Sequence, residues 1–548
     1  MYTPEYVSLA TSHQEVLNCL IEVFGDDLGA PSLDEGRPSG PVITMTVPVS
    51  SLLAFVDRLA EFDYPHLSSI SGERREGRAI LRYDFSLFRA SAKGEGLMLS
   101  LILSPDEGEG VLPSLSSLIP WAEYAERDLA ERLGVEFQGL KDRAPLLERG
   151  GKGVVAPPGY VTVPLVASGR TEPLALAVRL AGDRISSVRL HLGSLHRDVE
   201  TLALAGDLFQ ALSLAERLCG SCSFANALAY VRALEDVAGL EVPRRARYMR
   251  SLFQELERLS SHLLWLATTF HGEGLEGLLS AALALREPLL DAQEKLTGKR
   301  SVSAIAAVGG VRVDLEREGL QTLRSMIAVT RRELRPFQDA LLRGGLLRSR
   351  MEHRGFLPKE EAVRQGAVGP VAKASGLPVD RRSYSPYEAF GELDFAPLSL
   401  DRDSGEVGGD VFGRLMVRVM ELTQSLDLID RIAEGLPEGP LRALGKRRNL
   451  VAALKEADGR GLGVVEGPRG EIVHALTLHK GQVTLGAWSV TSATRRNLSV
   501  LPRILDGALL DDILSIVNSL DPCLACVECL LPLKGHGRKE ATEGGRRR

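Results

Sequence analysis

Cysteine is scarce in this chain, with six residues among 548. Such sparse use argues against a disulfide framework and points to metal or redox chemistry. Long apolar runs are missing too. The most apolar stretches, such as LLSAALAL (278–285), stop at Arg286 and Glu287, well short of the roughly 20 residues that cross a bilayer. Any membrane association is therefore expected to run through partner subunits. The first residues, MYTPEYVSLATSHQEV, lack a basic region followed by an apolar core, so no secretory leader is expected. Positive charge is not in excess. Lys and Arg number 66 against 72 Asp and Glu, a formal net charge of −6, which leaves no electrostatic footprint for nucleic acid.

What is present reads as an ordinary globular composition, 44% hydrophobic and 25% charged, in a chain long enough for two or three domains. Residues 1–147 read as an α+β domain. SSLLAFVDRLAEF, ending at Phe62, has helical apolar spacing, RAILRYDFSLF and GLMLSLILS are strand-like, and WAEYAERDLAERLGVEF returns to a helical period. ERGGKGVVAPPGY is rich in Gly and Pro, and 148–160 is the expected linker. Residues 161–529 form the second domain, mainly α-helical with a small β subdomain. It opens with alternating β segments over 161–192. From about 198 to 455 the pattern is helical, clearest where Tyr248, Leu252, Leu256, Leu259, Leu263 and Leu266 recur after Pro243. A second amphipathic helix is expected over 408–436 and a β-hairpin over 470–490, turning at Lys480–Gly481. The tail, 530–548, has the composition of a disordered segment.

The cysteines carry the chemistry. Cys219 and Cys222 form one C-x-x-C pair and Cys523 and Cys526 another, with Cys529 close behind and Cys19 alone. The three-residue step puts both thiols of a pair on one side of a helical turn. Thiolates are soft ligands that suit nickel, iron, zinc or an iron–sulfur cluster. A structural Cys₄ zinc usually closes loops of roughly 15–20 residues between pairs, whereas these pairs stand at opposite ends of one domain. Spacing alone leaves the metal open.

The flanking residues narrow it. Glu216-Arg217-Leu218-Cys219-Gly220-Ser221-Cys222 and Asp521-Pro522-Cys523-Leu524-Ala525-Cys526 resemble the two signatures of nickel–iron hydrogenase large subunits, E-R-x-C-G-x-C and D-P-C-x-x-C, in the right order. HRDVETLALAGDLFQ (196–210), AVGGVRVDL (307–315), GAVGPVAKASG (366–376) and EGPRGEIVH (466–474) are similar to the energy-converting, formate-hydrogenlyase-type branch related to respiratory complex I. Residues 1–147, best through ERDLAERLGVEFQGL (126–140), resemble the complex I 30 kDa subunit fused in front of a 49 kDa-like domain.

The resemblance implies a Ni-Fe(CN)₂CO centre. Cys219 and Cys523 would bind nickel, and Cys222 and Cys526 would bridge nickel and iron. Glu172 matches the family's proton-relay glutamate, and a carboxyl beside a metal site can be tuned to accept and release protons. Arg469 matches the arginine over the diatomic ligands, where a guanidinium donates hydrogen bonds to cyanide. Glu200 matches a glutamate that supports a second site for Mg or Fe, or the hydrogen-bond network that replaces it. His196 and His262 read as structural. The implied activity is reversible reduction of protons to H₂. Implied partners are an iron–sulfur small subunit that holds the 4Fe-4S clusters, a ferredoxin-like electron-transfer subunit, antiporter-like membrane subunits and a maturation endopeptidase that cuts after Cys529. The implied location is cytoplasmic, peripheral on the inner face of the membrane.

Three positions depart from the pattern. Asn226 stands where a histidine usually bonds a bridging cysteine, Cys529 replaces the usual His or Arg, and Val166-Ala167-Ser168-Gly169 replaces a Gly-Pro-x-His loop. Loss of that loop's histidine weakens a quinone-reducing role. Two other readings stay open: a complex I-like subunit without nickel, and a scaffold subunit with a structural Cys₄ zinc.

Overall fold

The computed structural model describes residues 12–25, 28–62, 66–75, 77–88, 96–104, 111–140, 142, 157–166, 173–192, 199–400 and 408–527. Glu172, His196, Cys529, residues 167–170, the linker up to 156 and the tail 530–548 lie outside the described residues.

An α+β N-terminal region precedes a mainly helical region that carries small sheets. In the first, five strands lie in the order Gly29–Asp34, Val42–Thr46, Leu97–Leu103, Arg78–Leu87, His66–Arg75. Only the contact of Val42–Thr46 with Leu97–Leu103 is parallel. The strand Leu97–Leu103 is apolar at nearly every position because it lies inside the sheet with side chains buried on both faces. Helices His13–Phe24, Leu52–Phe62 and Ala122–Leu133 accompany the sheet, and Leu59, Tyr83, Phe85, Leu99 and Trp121 fill a core separate from that of the rest of the chain.

The strands Val161–Val166, Pro173–Ala181 and Arg184–His191 form an antiparallel sheet, as the alternation over 161–192 predicts. The helical region is built around Arg244–Gly272, 29 residues long and buried at most positions. Pro243 lies one residue before this helix with an extended ψ of 143°. It caps the helix from outside, and its carbonyl accepts the Arg247 N–H. Helices Glu276–Thr297 and Val411–Gly435 pack on the central helix.

A third sheet positions the site. The expected hairpin is present as Gly470–Leu478 and Leu485–Thr491, with its connection spanning Lys480 and Gly481, and a further strand, Gly459–Gly467, pairs along the full length of Gly470–Leu478. That strand holds four glycines, which weaken any strand pattern in its sequence. Helix packing explains two of them. A Cβ on Gly461 would lie 2.0 Å from the Ala233 carbonyl oxygen, and one on Gly463 would lie 1.8 Å from that of Ala229. Helix Ser223–Ala238 thus rests directly on the strand, backbone against backbone. On the N-terminal side, Leu462, Val464, Val473 and Ala475 pack with Val42 and Met98 of the five-stranded sheet.

Charged side chains fasten the two regions. Arg460 reaches Asp84 at 2.6 and 3.0 Å, Arg37 reaches Asp236 at 2.5 Å, and Arg496, itself paired with Glu471 of its own region, crosses to His66 at 2.9 Å.

Gly463→Ala is expected to destabilise the protein by about 1–3 kcal/mol, the usual cost of overpacking, measured as a lower denaturation midpoint. Gly445→Ala, where a Cβ meets nothing within 4 Å, is expected to leave the midpoint unchanged. Equal midpoints for the two variants would discard the close helix–strand contact.

Candidate metal centre

Cys222 is the residue immediately before helix Ser223–Ala238, and its side chain does not cap that helix. The cap comes from another helix. Glu257, on Arg244–Gly272, accepts the N–H groups of Phe224 at 2.6 Å and Ala225 at 2.9 Å. A carboxylate suits the positive end of a helix, and these bonds fix where the helix, and so Cys222, begins. Burial pushes the Glu257 carboxyl up to about 8 against the two N–H donors.

The second pair follows a constrained turn. Asp521 adopts a left-handed backbone with φ of 56°, a region Asp tolerates better than most residues. The Cys523 N–H donates to Thr494 Oγ1 at 3.2 Å, and Cys526 lies in the short helix Leu524–Val527. Both pairs are buried, each thiol 3–4% exposed.

The four sulfurs converge. Cys219 and Cys523 are 304 residues apart, yet their Sγ atoms are 3.6 Å apart; Cys523 to Cys526 is 3.2 Å and Cys222 to Cys526 is 4.0 Å. Four thiolates at metal–sulfur bonds of about 2.3 Å in a tetrahedron would be about 3.8 Å apart, so these spacings fit one shared metal site. Among the described residues, Cys219, Cys523 and Cys526 form the one group of three His, Cys, Asp or Glu side chains whose ligand atoms lie within 4.8 Å of one another, and Cys222 joins it beside Cys526. Hydrogen bonds from Cys222, Cys523 and Cys526 hold the Cys219 thiol well below its usual range, and Arg469 adds to the effect. Donation to Cys219 pushes Cys222, Cys523 and Cys526 up. A bound cation favours the ionised form of such ligands.

Arg469 occupies the two-residue turn between strands Gly459–Gly467 and Gly470–Leu478. Its Nη1 is 3.8 Å from Cys219 Sγ and 3.7 Å from Cys222 Sγ, and its Nη2 donates to Ser221 Oγ at 3.0 Å. Its Nε donates to the Asp521 carbonyl oxygen at 2.8 Å and its Nη2 to Asp521 Oδ1 at 3.1 Å, while Oδ2 lies 2.9 Å from Nε, an ion pair. Gly369 makes room for the turn, since a Cβ there would lie 2.3 Å from the Arg469 carbonyl oxygen.

The structure therefore brings together Cys219, Cys222, Cys523, Cys526 and Arg469. Glu172 and Cys529 lie outside the described residues. Glu200 is buried and paired with Arg132 of the N-terminal region at 2.9 Å. His262 bonds Glu421 at 2.6 Å inside the core, a structural contact. Asn226 donates to Cys222 Sγ at 3.5 Å. Sequence reasoning missed Asp521, which stands within the second signature itself, and Glu257, whose helical context carries no local signal.

Comparison with known proteins gives a consistent setting. Residues 45–166 match the family described as respiratory-chain NADH dehydrogenase, 30 Kd subunit, residues 197–270 match nickel-dependent hydrogenase, and residues 274–528 match the NADH dehydrogenase 49 Kd subunit. The chain is 35% identical to the membrane-bound hydrogenase subunit alpha of Pyrococcus furiosus, over 69% of this chain and 90% of that protein. It is 33% identical to the carbon monoxide-induced hydrogenase of Rhodospirillum rubrum, over 65% and 95%. Formate hydrogenlyase subunit 5 of Escherichia coli is 29% identical over 90% of each chain, including the N-terminal region. In three dimensions the chain is similar to one from the membrane-bound sulfane sulfur reductase, an archaeal respiratory membrane complex, with a TM-score of 0.62, 27% identity, and coverage of 67% of this chain and 98% of that one.

Asp521→Asn strips the counter-charge from a buried guanidinium and is expected to cost about 3–5 kcal/mol, seen as a lower denaturation midpoint. Asp511→Asn, at an exposed position, serves as the control. A midpoint in Asp521→Asn as high as in the control would be incompatible with the pair.

Proposed function

The chain belongs to the family of energy-converting hydrogenase large subunits related to complex I, and from that premise we propose that it is the catalytic subunit of a nickel–iron hydrogenase. The observation that carries the reading is the convergence of four buried thiols from two distant pairs, with spacings of 3.2–4.0 Å along the set. Cys219, Cys222, Cys523 and Cys526 would hold a nickel–iron centre of the kind that bears CO and cyanide. Bound there, the centre supplies the redox-active site at which two protons and two electrons are interconverted with H₂. Four soft thiolates suit such metals better than hard cations.

The surrounding residues have separate tasks. Arg469 presents a guanidinium beside Cys219 and Cys222, held by Asp521, where it would donate hydrogen bonds to the cyanide of a bound centre. Glu172 passes the proton at its carboxylate. Glu200, through Arg132, belongs to a hydrogen-bonded network in place of a second metal. Burial of the four cysteines, each 3–4% exposed, keeps bulk water from the sulfurs.

Electrons reach this centre from the 4Fe-4S clusters of a partner small subunit, because the cysteines here are spent on the metal site. Relatives named as membrane-bound hydrogenase and formate hydrogenlyase subunits support assembly into a membrane complex. No helix among the described residues is long and apolar enough to cross a membrane, so the attachment runs through partner subunits.

Metal analysis of the complex purified without oxygen is expected to give about one nickel and one iron at the thiolate site per chain beyond the cluster iron, together with H₂ evolution. Zinc alone with no H₂ turnover would assign the sulfurs to a structural site, and a complex with redox activity but no nickel would assign the chain a complex I-like role. Glu172→Gln is expected to depress H/D exchange while metal content stays at the wild-type level. Unchanged exchange would remove Glu172 from the proton route.

A further inference from the structure

Cys222 receives a hydrogen bond whose direction is set by the third side chain along a buried line. Trp488 Nε1 lies 3.3 Å from His474 Nδ1, His474 Nε2 lies 3.3 Å from Asn226 Oδ1, and Asn226 Nδ2 lies 3.5 Å from Cys222 Sγ and 2.8 Å from the Cys222 carbonyl oxygen. The indole N–H can only donate, so His474 Nδ1 accepts and the ring hydrogen sits on Nε2. That N–H in turn donates to the amide oxygen of Asn226, which settles the amide orientation and turns its NH₂ toward the sulfur. All three donors therefore point the same way, toward Cys222. Trp488, His474 and Asn226 are each 2% exposed or less, and water does not compete for the bonds.

Two strands and a helix hold this line. His474 is on the middle strand, opposite Gly463 and Val490, and Trp488 is on the neighbouring strand. Asn226 is in the first turn of the helix that Gly463 admits to the sheet. Tyr230 packs edge-on against both rings. Burial alone pushes His474 down to about 3, so the ring stays neutral and keeps one donor and one acceptor.

We infer that Trp488, His474 and Asn226 are positioning residues forming a one-way hydrogen-bond chain that sets how strongly the Cys222 thiolate donates to its metal. The histidine that usually bonds this cysteine is thereby moved one side chain back, with an amide as adaptor. The inference rests on the nickel–iron reading for the identity of the metal, while the chain of donors stands on the geometry alone. A donor hydrogen bond withdraws electron density from a ligating thiolate, and partners of this kind tune metal sites.

The test compares Asn226→Ala and Trp488→Phe with the wild-type complex by infrared spectroscopy of the iron-bound CO and cyanide. Removing the donor leaves Cys222 more electron-rich, so the diatomic bands are expected to move to lower frequency in Asn226→Ala, and by a smaller amount in the same direction in Trp488→Phe. H₂ turnover is expected to fall by about 10–100-fold in Asn226→Ala, the usual range for such partners. Bands that stay put in Asn226→Ala at wild-type metal content overturn the inference. If the wild-type complex has no such bands, the nickel–iron reading fails instead. Cobalt(II) exchanged into the four thiolates then gives the readout: the thiolate-to-cobalt band is expected at lower energy in Asn226→Ala, and an unmoved band overturns the inference there as well.

Discussion

A single buried guanidinium ties the halves of this site together. Arg469 is bonded to Asp521, just before the second cysteine pair, and to Ser221, within the first, while its Nη1 lies against Cys219 and Cys222. A buried charge is tolerated only where it is paired and hydrogen-bonded, so the position of Arg469 determines where Asp521 must be. The rest of the arrangement follows from how Arg469 is placed. It occupies the tip of a two-residue turn, its strand lies beneath a helix with no side chain between them at Gly461 and Gly463, and that helix begins directly after Cys222.

Much of this was legible in the residues. The four cysteines and Arg469 were named from two signatures and a Pro-Arg-Gly turn, and the structure brings them together. The helices Arg244–Gly272 and Val411–Gly435 follow from apolar spacing, because each has one period sustained over many turns. The strand Gly459–Gly467 was hidden because its glycines serve a neighbour rather than the strand itself, and no local pattern reports a helix arriving from two hundred residues earlier. His474 and Trp488 escaped notice for a related reason. Alternation along a hairpin marks them as inward-facing, but only the overlying helix shows that one of them meets Asn226. Glu257 looks like any glutamate on an amphipathic helix until the end of another helix is set against it.

Asn226 also illustrates how a departure from a family pattern is absorbed. Its amide still donates to the sulfur, and an imidazole still stands behind it, fixed in one tautomer by an indole. The loss of a titrating group next to the cysteine is thus a local change, while the direction of hydrogen bonding is retained by residues on a separate sheet.

Among the described residues, the join between the N-terminal sheet and the rest of the chain has a small apolar patch around Val42 and Met98 and relies heavily on largely buried ion pairs such as Arg460 with Asp84 and Arg495 with Asp128. The dehydration penalty of paired charges shrinks on warming, whereas apolar contacts level off in strength per unit area. A joint of this composition therefore supplies a growing share of the cohesion between the two regions as temperature climbs.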